Sequence, residues 1–236
     1  MAKIVKNSYE AAADQRGTNQ VPFAIVESYK TIRTNLTFML SQSKSKCITV
    51  SSSVSGEGKS TSAVNLAIAF SQLGSRVLLI DADLRKPTIY KKMKISNAKG
   101  LSSLLVGFCN TEEAIIGINA NLDVLTSGPI PPNPSELLGS ESMTRLLDVL
   151  KGSYEYIIID TPPINIVSDA LVLAPKTNGV LLVAQDYSTT HDQVRKSLGA
   201  IEFANVKMLG VVLNASSKGS RKSYKSRYKY SYYYGK

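Results

Sequence analysis

Three segments of the chain are apolar almost from end to end: residues 46–51 (KCITVS), 76–83 (RVLLIDAD) and 154–163 (YEYIIIDTPP). A strand that is apolar at every position has no face to give to water, so it must be covered on both sides. Between these runs lie stretches whose apolar residues recur at helical spacing. Strands that alternate with helices in this way predict an α/β domain, with a parallel sheet between two helical layers.

The first helix is expected over Glu27 to Leu40, with Ile32, Leu36, Met39 and Leu40 on its apolar stripe. A second opens at SVSGEGKST and carries Val64, Leu66, Ala67, Ile68, Phe70 and Leu73 up to a stop at Gly74. A basic stretch with Arg85, Lys86, Lys91, Lys92 and Lys94 follows the second strand. Short helices are expected near Leu101 to Val106 and Thr111 to Ile116. Next come a strand at 122–128 and a proline-rich loop in which Ser135 is placed to cap a helix. The remaining elements are helices over 141–150, 167–174 and 189–203 and strands over 179–185 and 208–214. Thr189 and Asp192 stand at capping-box spacing beside the single histidine, His191, which reads as a surface residue.

With 236 residues, 43% hydrophobic and 19% charged, the chain can bury one domain's core, which excludes disorder throughout and a purely electrostatic module. Cys47 and Cys109 lack metal-ligand spacing and read as small hydrophobes of a reducing compartment. No apolar run approaches the roughly 18 residues of a membrane span. Of the net charge of +10, seven positive charges lie between Lys218 and Lys236, a stretch without an acid that also holds Tyr224, Tyr228, Tyr230, Tyr232, Tyr233 and Tyr234. The expected organisation is a polar arm over 1–24, one domain over 25–216 and a tyrosine-rich basic tail over 217–236.

The chemistry is concentrated at the strand ends. After ITVSSS, the run Val54-Ser55-Gly56-Glu57-Gly58-Lys59-Ser60-Thr61 has the layout of a phosphate-binding loop, although the full pattern has glycine where Ser53 stands. Glycines let backbone N–H groups close around phosphate oxygens. The helix N-terminus adds partial positive charge, Lys59 reaches the terminal phosphates, and the Ser60 hydroxyl is suited to Mg²⁺. A dinucleotide fold competes, since Gly56-x-Gly58 is followed by Asp81, but Lys59-Ser60 directly after the second glycine favours the phosphate loop. Asp81, Asp83 and Asp160 end apolar strands and should converge on the same nucleotide. Phosphoryl transfer needs a metal, a lysine and a carboxylate near the incoming hydroxyl. Asp83 and Asp160 suit the metal shell, which leaves Asp81 as the candidate base. The structural alternative for Asp83 is to pair with Arg85 or to cap the next turn.

On these motifs the sequence resembles the bacterial protein-tyrosine kinases, P-loop autokinases that regulate capsular and exopolysaccharide synthesis, in their cytoplasmic Gram-positive form. The resemblance rests on SGEGKST (55–61), LLIDADLRKP (78–87), IIIDTPP (157–163) and the terminal tyrosine cluster. It implies a P-loop NTPase-type sheet, with ATP phosphates on Gly56, Glu57, Gly58, Lys59, Ser60 and Thr61. It also implies Mg²⁺ at Ser60 and Asp160, catalytic acids at Asp81 and Asp83, adenine near Asn214, and autophosphorylation of the six tail tyrosines. A membrane-bound adaptor of the polysaccharide co-polymerase type would recruit the kinase to the inner face of the membrane. Self-association in a ring and a cognate tyrosine phosphatase are implied as well. Where the family carries Glu-x-x-Arg-x-x-Arg in its first helix, this chain reads Glu27, Lys30, Arg33.

Two other functions compete. Switch ATPases of the septum-positioning or partitioning kind share the fold and motifs but carry a signature lysine where Val54 stands, and they have no use for a tyrosine tail. Nucleic-acid or anionic-membrane binding by the tail fits its basic and aromatic interleaving. That reading leaves three converging ATP motifs without a purpose, so nucleic acid is disfavoured as a partner.

Overall fold

The computed structural model describes residues 23–214. Seven strands, β1 (Lys46–Ser52), β2 (Val77–Asp81), β3 (Ile115–Asn119), β4 (Leu122–Leu125), β5 (Tyr156–Asp160), β6 (Val180–Gln185) and β7 (Met208–Asn214), form one sheet in the order β3-β4-β2-β5-β1-β6-β7. All neighbours run parallel except β3 and β4. Strand alternation sorts the core. Ile48, Val50, Val77, Leu79, Tyr156 and Ile158 pack on one face against Leu36, Leu40, Leu66 and Phe70. Cys47, Leu78, Ile80, Ile157 and Ile159 pack on the other against Met143, Leu147 and Leu150. Both faces of each central strand are therefore dry, as expected for continuous apolar runs.

The first face is covered by α1 (Phe23–Met39) and α2 (Lys59–Ser71), and the second by α7 (Glu141–Ser153). Between them in the chain lie the short helices α3 (Ile89–Met93), α4 (Leu101–Leu105), α5 (Thr111–Ala114) and α6 (Pro134–Gly139). Then come α8 (Asp169–Leu173), a 3₁₀ turn (Ala174–Lys176) and α9 (His191–Phe203). Met39 and Leu73, expected on buried stripes, are 42% and 61% exposed, because each falls at or beyond the end of its helix.

Several local expectations are corrected. The segment expected to be helical to Ile116 keeps only one turn, started by the capping box of Asn110 and Glu113, and then becomes the antiparallel edge strand β3. The ladder with β4 satisfies its backbone better than another helical turn would. The strand expected over 122–128 stops at Leu125, since the carbonyls of Thr126 and Ser127 accept from Leu101 and Ser102 instead. Ser135 does not cap α6; it sits inside the helix and its hydroxyl donates to Asp169. The capping box of α9 belongs to Thr190 and Gln193, not to Thr189 and Asp192. His191 is exposed, as the sequence predicts.

The strand order positions the site. β5 lies between β1 and β2, with Asp160 level with Val50 on one side and Asp81 on the other. The ends of three strands distant in sequence thus become neighbours at the carboxyl edge of the sheet, where ligands of open parallel sheets bind.

Candidate active site

The loop leaving β1 turns through Gly56 (φ 91°) and Gly58 (φ 93°), both in the left-handed region that favours glycine. A Cβ on Gly58 would also collide with the side-chain amide of Asn214. That amide donates to the Glu57 carbonyl at 3.0 Å, so Asn214, expected near adenine, braces the loop. Ser53, the departure from the glycine pattern, is fully buried and its hydroxyl accepts from Ser197 of α9 at 2.9 Å. Glu57 points inward: its carboxylate accepts from the Val54 amide at 2.8 Å and from the Thr189 hydroxyl. Thr189 in turn accepts from the Gln185 amide. The loop is thereby tied to the ends of β6 and β7, a role for Thr189 that local sequence does not signal.

Lys59, the first residue of α2, extends back across the loop. Its ammonium lies 2.8 Å from Asp83 Oδ2 and 3.6 Å from Asp160 Oδ1, with the Ser60 hydroxyl at 3.3 Å. Burial works against this charge, but Asp160 and Asp83 outweigh it and hold the Lys59 pKa above the ordinary lysine value. Asp83 also accepts from the Lys86 amide at 3.0 Å and so caps the turn after it. It does not pair with Arg85, whose guanidinium forks onto the buried Asp169 at 2.8 and 3.0 Å and reaches Ser135.

Asp81 and Asp160 lie beneath, both fully buried. Asp81 spends its oxygens on three amides, those of Asp83 (3.2 Å), Thr88 (3.2 Å) and Ile89 (3.0 Å), and so holds the start of α3. Asp160 has no hydrogen-bond partner on either oxygen among the described residues. Burial raises the pKa of both, Asp81 to about 7 with the Asp160 charge adding to the rise, and Asp160 to about 6 against the pull of Lys59 and Ser60.

Over these groups opens a cavity of about 410 Å³, lined by Gly56, Gly58, Lys59, Ser60, Thr61, Asp83 and Lys92, with Pro162, Pro163, Ile166 and Val167 as an apolar wall. A larger depression of about 590 Å³ lies at the opposite end of the sheet beside Lys44, Lys151 and Lys176, remote from every motif. The sequence motifs converge on the smaller one. A buried carboxylate with no hydrogen bond, facing Lys59 at 3.6 Å and beside a serine hydroxyl, offers hard oxygen donors, which fits Mg²⁺ held by one or two side chains. Among the described residues no group of three or more His, Cys, Asp or Glu forms a protein-only metal cage.

The family model described as an AAA domain matches residues 45–202. The chain is 43% identical over 199 residues to the tyrosine-protein kinase YwqD of Bacillus subtilis, covering 84% of each chain. It belongs to the bacterial protein-tyrosine kinase family. The kinase domain of the Escherichia coli tyrosine kinase ETK superposes with a TM-score of 0.82 at 31% identity, over 93% of this chain and 84% of that one. The crystal structure of the chimerical protein CapA2B2 gives 0.79 at 41% identity, over 89% and 91%. The chain is thus a protein-tyrosine kinase on a P-loop scaffold, a nucleotide-using enzyme, and the switch-ATPase reading is the less supported one.

Other expectations meet the structure differently. Glu27 pairs with Lys30 of its own helix at 2.7 Å, and Arg33 donates to the Ala69 carbonyl of α2 at 2.6 Å, so both basic residues of the first-helix pattern are engaged within the chain. Cys47 is buried, Cys109 is partly so, and both are free thiols. Among the described residues no helix is long and apolar enough to cross a membrane. The tail tyrosines and residues 1–22 lie outside the described residues, and the last two positions expected in the arm, Phe23 and Ala24, belong to α1.

Proposed function

We propose that this kinase transfers the γ-phosphoryl group of ATP to the tyrosines between Tyr224 and Tyr234 of a neighbouring copy, with Mg²⁺ as cofactor. The observation that carries this reading is the buried Asp160, which has no hydrogen bond and meets only the Lys59 ammonium at 3.6 Å, beside Ser60 and Asp83. A protein does not leave a carboxylate in this condition without cost, and a cation with a phosphate chain would remove the cost. Ser60 and Asp160, with Asp83, would hold the metal, which when bound supplies charge compensation to the β- and γ-phosphate oxygens. Gly56 to Thr61 cradle the phosphates on loop amides and the N-terminus of α2. Lys59 draws negative charge toward the leaving side. The tyrosine oxygen forms its bond to the γ-phosphorus as the bond to the bridging oxygen breaks; ADP departs and the phenolic proton passes to a carboxylate.

Asp81 is the proposed acceptor of that proton, supported by a pKa pushed up to about 7, near the working range of a base. Position favours a second assignment. Asp81 is enclosed by amides, whereas Asp83 lines the cavity, and in that case Asp83 takes the proton and Asp81 holds the loop. Turnover of Asp81→Asn and Asp83→Asn in the presence of saturating Mg-ATP separates them, since the base variant loses the larger factor.

The wider role follows the family resemblance: regulation of exopolysaccharide or capsule synthesis, in the cytoplasm, through a membrane-bound co-polymerase type adaptor, with self-association and reversal by a tyrosine phosphatase. The arm over 1–24 and the tail over 217–236 flank the catalytic domain in this reading. Peptide mapping after incubation with Mg-ATP and the adaptor's cytoplasmic segment tests it. Phosphate is expected on the tail tyrosines and absent after removal of residues 224–236; stoichiometric labelling of the truncated chain would place the acceptor elsewhere.

A further inference from the structure

The cavity is lined by the cations Lys59, Arg85, Lys86 and Lys92, of which two, Lys59 and Lys92, meet hydroxyls of the first turn of α2. Lys92 lines the cavity within reach of the Asp160 charge, and its ammonium donates to the Thr61 hydroxyl at 2.9 Å. Thr61 is the third residue of α2, a helix of 13 residues whose first turn faces the cavity. The two lysines differ in what they already hold. Lys59 is engaged by Asp83 and Asp160, while Lys92 has a neutral hydroxyl and no ion-pair partner among the described residues.

We propose that Lys92 is a second phosphate-binding lysine of the nucleotide site, which exchanges the Thr61 hydroxyl for an oxygen of the nucleotide's phosphate chain. A hydrogen bond from the ammonium to a neutral acceptor would give way to one between opposite charges at a helix N-terminus, where anions are already favoured. The fold holds the residue in place for this. Asp81 accepts from the amides of Thr88 and Ile89, which anchors the start of α3, and Lys92 follows one turn later over the loop. Asp81 then contributes to phosphate binding through the helix it anchors, as a positioning residue.

The inference rests on the ATP reading above, and its test separates the two. Full-length protein is titrated calorimetrically with ATP and with adenosine, without turnover. Lys92→Gln is expected to weaken ATP about tenfold, close to 1.4 kcal/mol, and to leave adenosine binding and the melting temperature of the nucleotide-free protein unchanged. Lys92→Arg should recover most of the loss, and the salt dependence of ATP affinity should be shallower in the glutamine variant. Wild-type ATP affinity in Lys92→Gln, or equal losses for ATP and adenosine, would overturn the role of Lys92 while leaving the nucleotide site standing. Failure of the wild type to bind ATP would overturn both.

Discussion

Asp81 and Asp160 close neighbouring strands of nearly the same composition, VLLID and YIIID, and sit level with each other in the sheet. Both are fully buried, yet one takes three backbone amides and the other takes none. The chain after β2 turns back and presents the N-terminal amides of α3 to its aspartate. The chain after β5 runs on through Pro162 and Pro163, which have no N–H to offer. Equal strand ends thus acquire different surroundings: the Asp81 carboxylate holds the start of α3, and the Asp160 carboxylate is left without a hydrogen bond, at the expense of stability.

The largest effect is expected at the cation that faces Asp160. Lys59→Met should lower tail phosphotyrosine formation on the order of 10²- to 10³-fold, the range for removal of a preorganised charge. Wild-type phosphotyrosine in that variant, measured after incubation with Mg-ATP, would dissolve the contrast at its centre.

Next come the two acids themselves, where the signs should oppose. Asp81→Asn leaves amides facing an NH₂ group and should destabilise the nucleotide-free protein by about 1–3 kcal/mol. Asp160→Asn removes a buried charge that has no hydrogen bond and whose counter-charge, Lys59, keeps its closer contact with Asp83, so it should hold or raise stability while abolishing Mg²⁺-dependent nucleotide affinity. Denaturant unfolding of both variants checks this, and equal losses would mean that the two carboxylates are alike after all.

A smaller effect concerns pH. Both acids have folded-state pKa values raised above the ordinary aspartate value near 3.9, so protonation favours the folded state. Their contribution is fully present below about pH 4 and is lost as pH rises through about 6 to 7. Melting of the nucleotide-free protein should therefore show a decline over that window which Asp160→Asn flattens. The smallest test applies the same desolvation to a thiol. Burial pushes Cys47 up to about 12, so iodoacetamide at neutral pH should modify Cys109 and spare Cys47 until the protein unfolds.

Much of this site was legible in the sequence, for identifiable reasons. Gly56, Gly58, Lys59 and Ser60 form a local pattern whose conformation depends on residues a few positions apart. Asp81, Asp83 and Asp160 were recognisable because a charged residue at the end of an apolar strand has few structural alternatives. The bracing partners were not legible. Thr189 and Asn214 meet Glu57 only after residues 132 and 157 positions away are brought together. Thr189 stands at capping-box spacing yet Thr190 makes the cap, and Ser135 does not make the cap its position suggests, since both hydroxyls serve partners from other elements. Lys92 carried no signal beyond its charge, and β3 none beyond a helical start at Asn110 that its pairing with β4 cut short.

From its sequence alone this chain was bound to be an α/β protein with a phosphate loop, because apolar strands with no wet face and a glycine-lysine turn before a helix are local facts of composition and spacing. Only the tertiary structure decided that β5 would lie between β1 and β2, so that Lys59 falls between Asp83 and Asp160. It also decided which aspartate would be clothed in amides and which left bare. Hydrogen-bond satisfaction depends on which backbone passes nearby, and that is settled by strand order and loop path rather than by the residue itself.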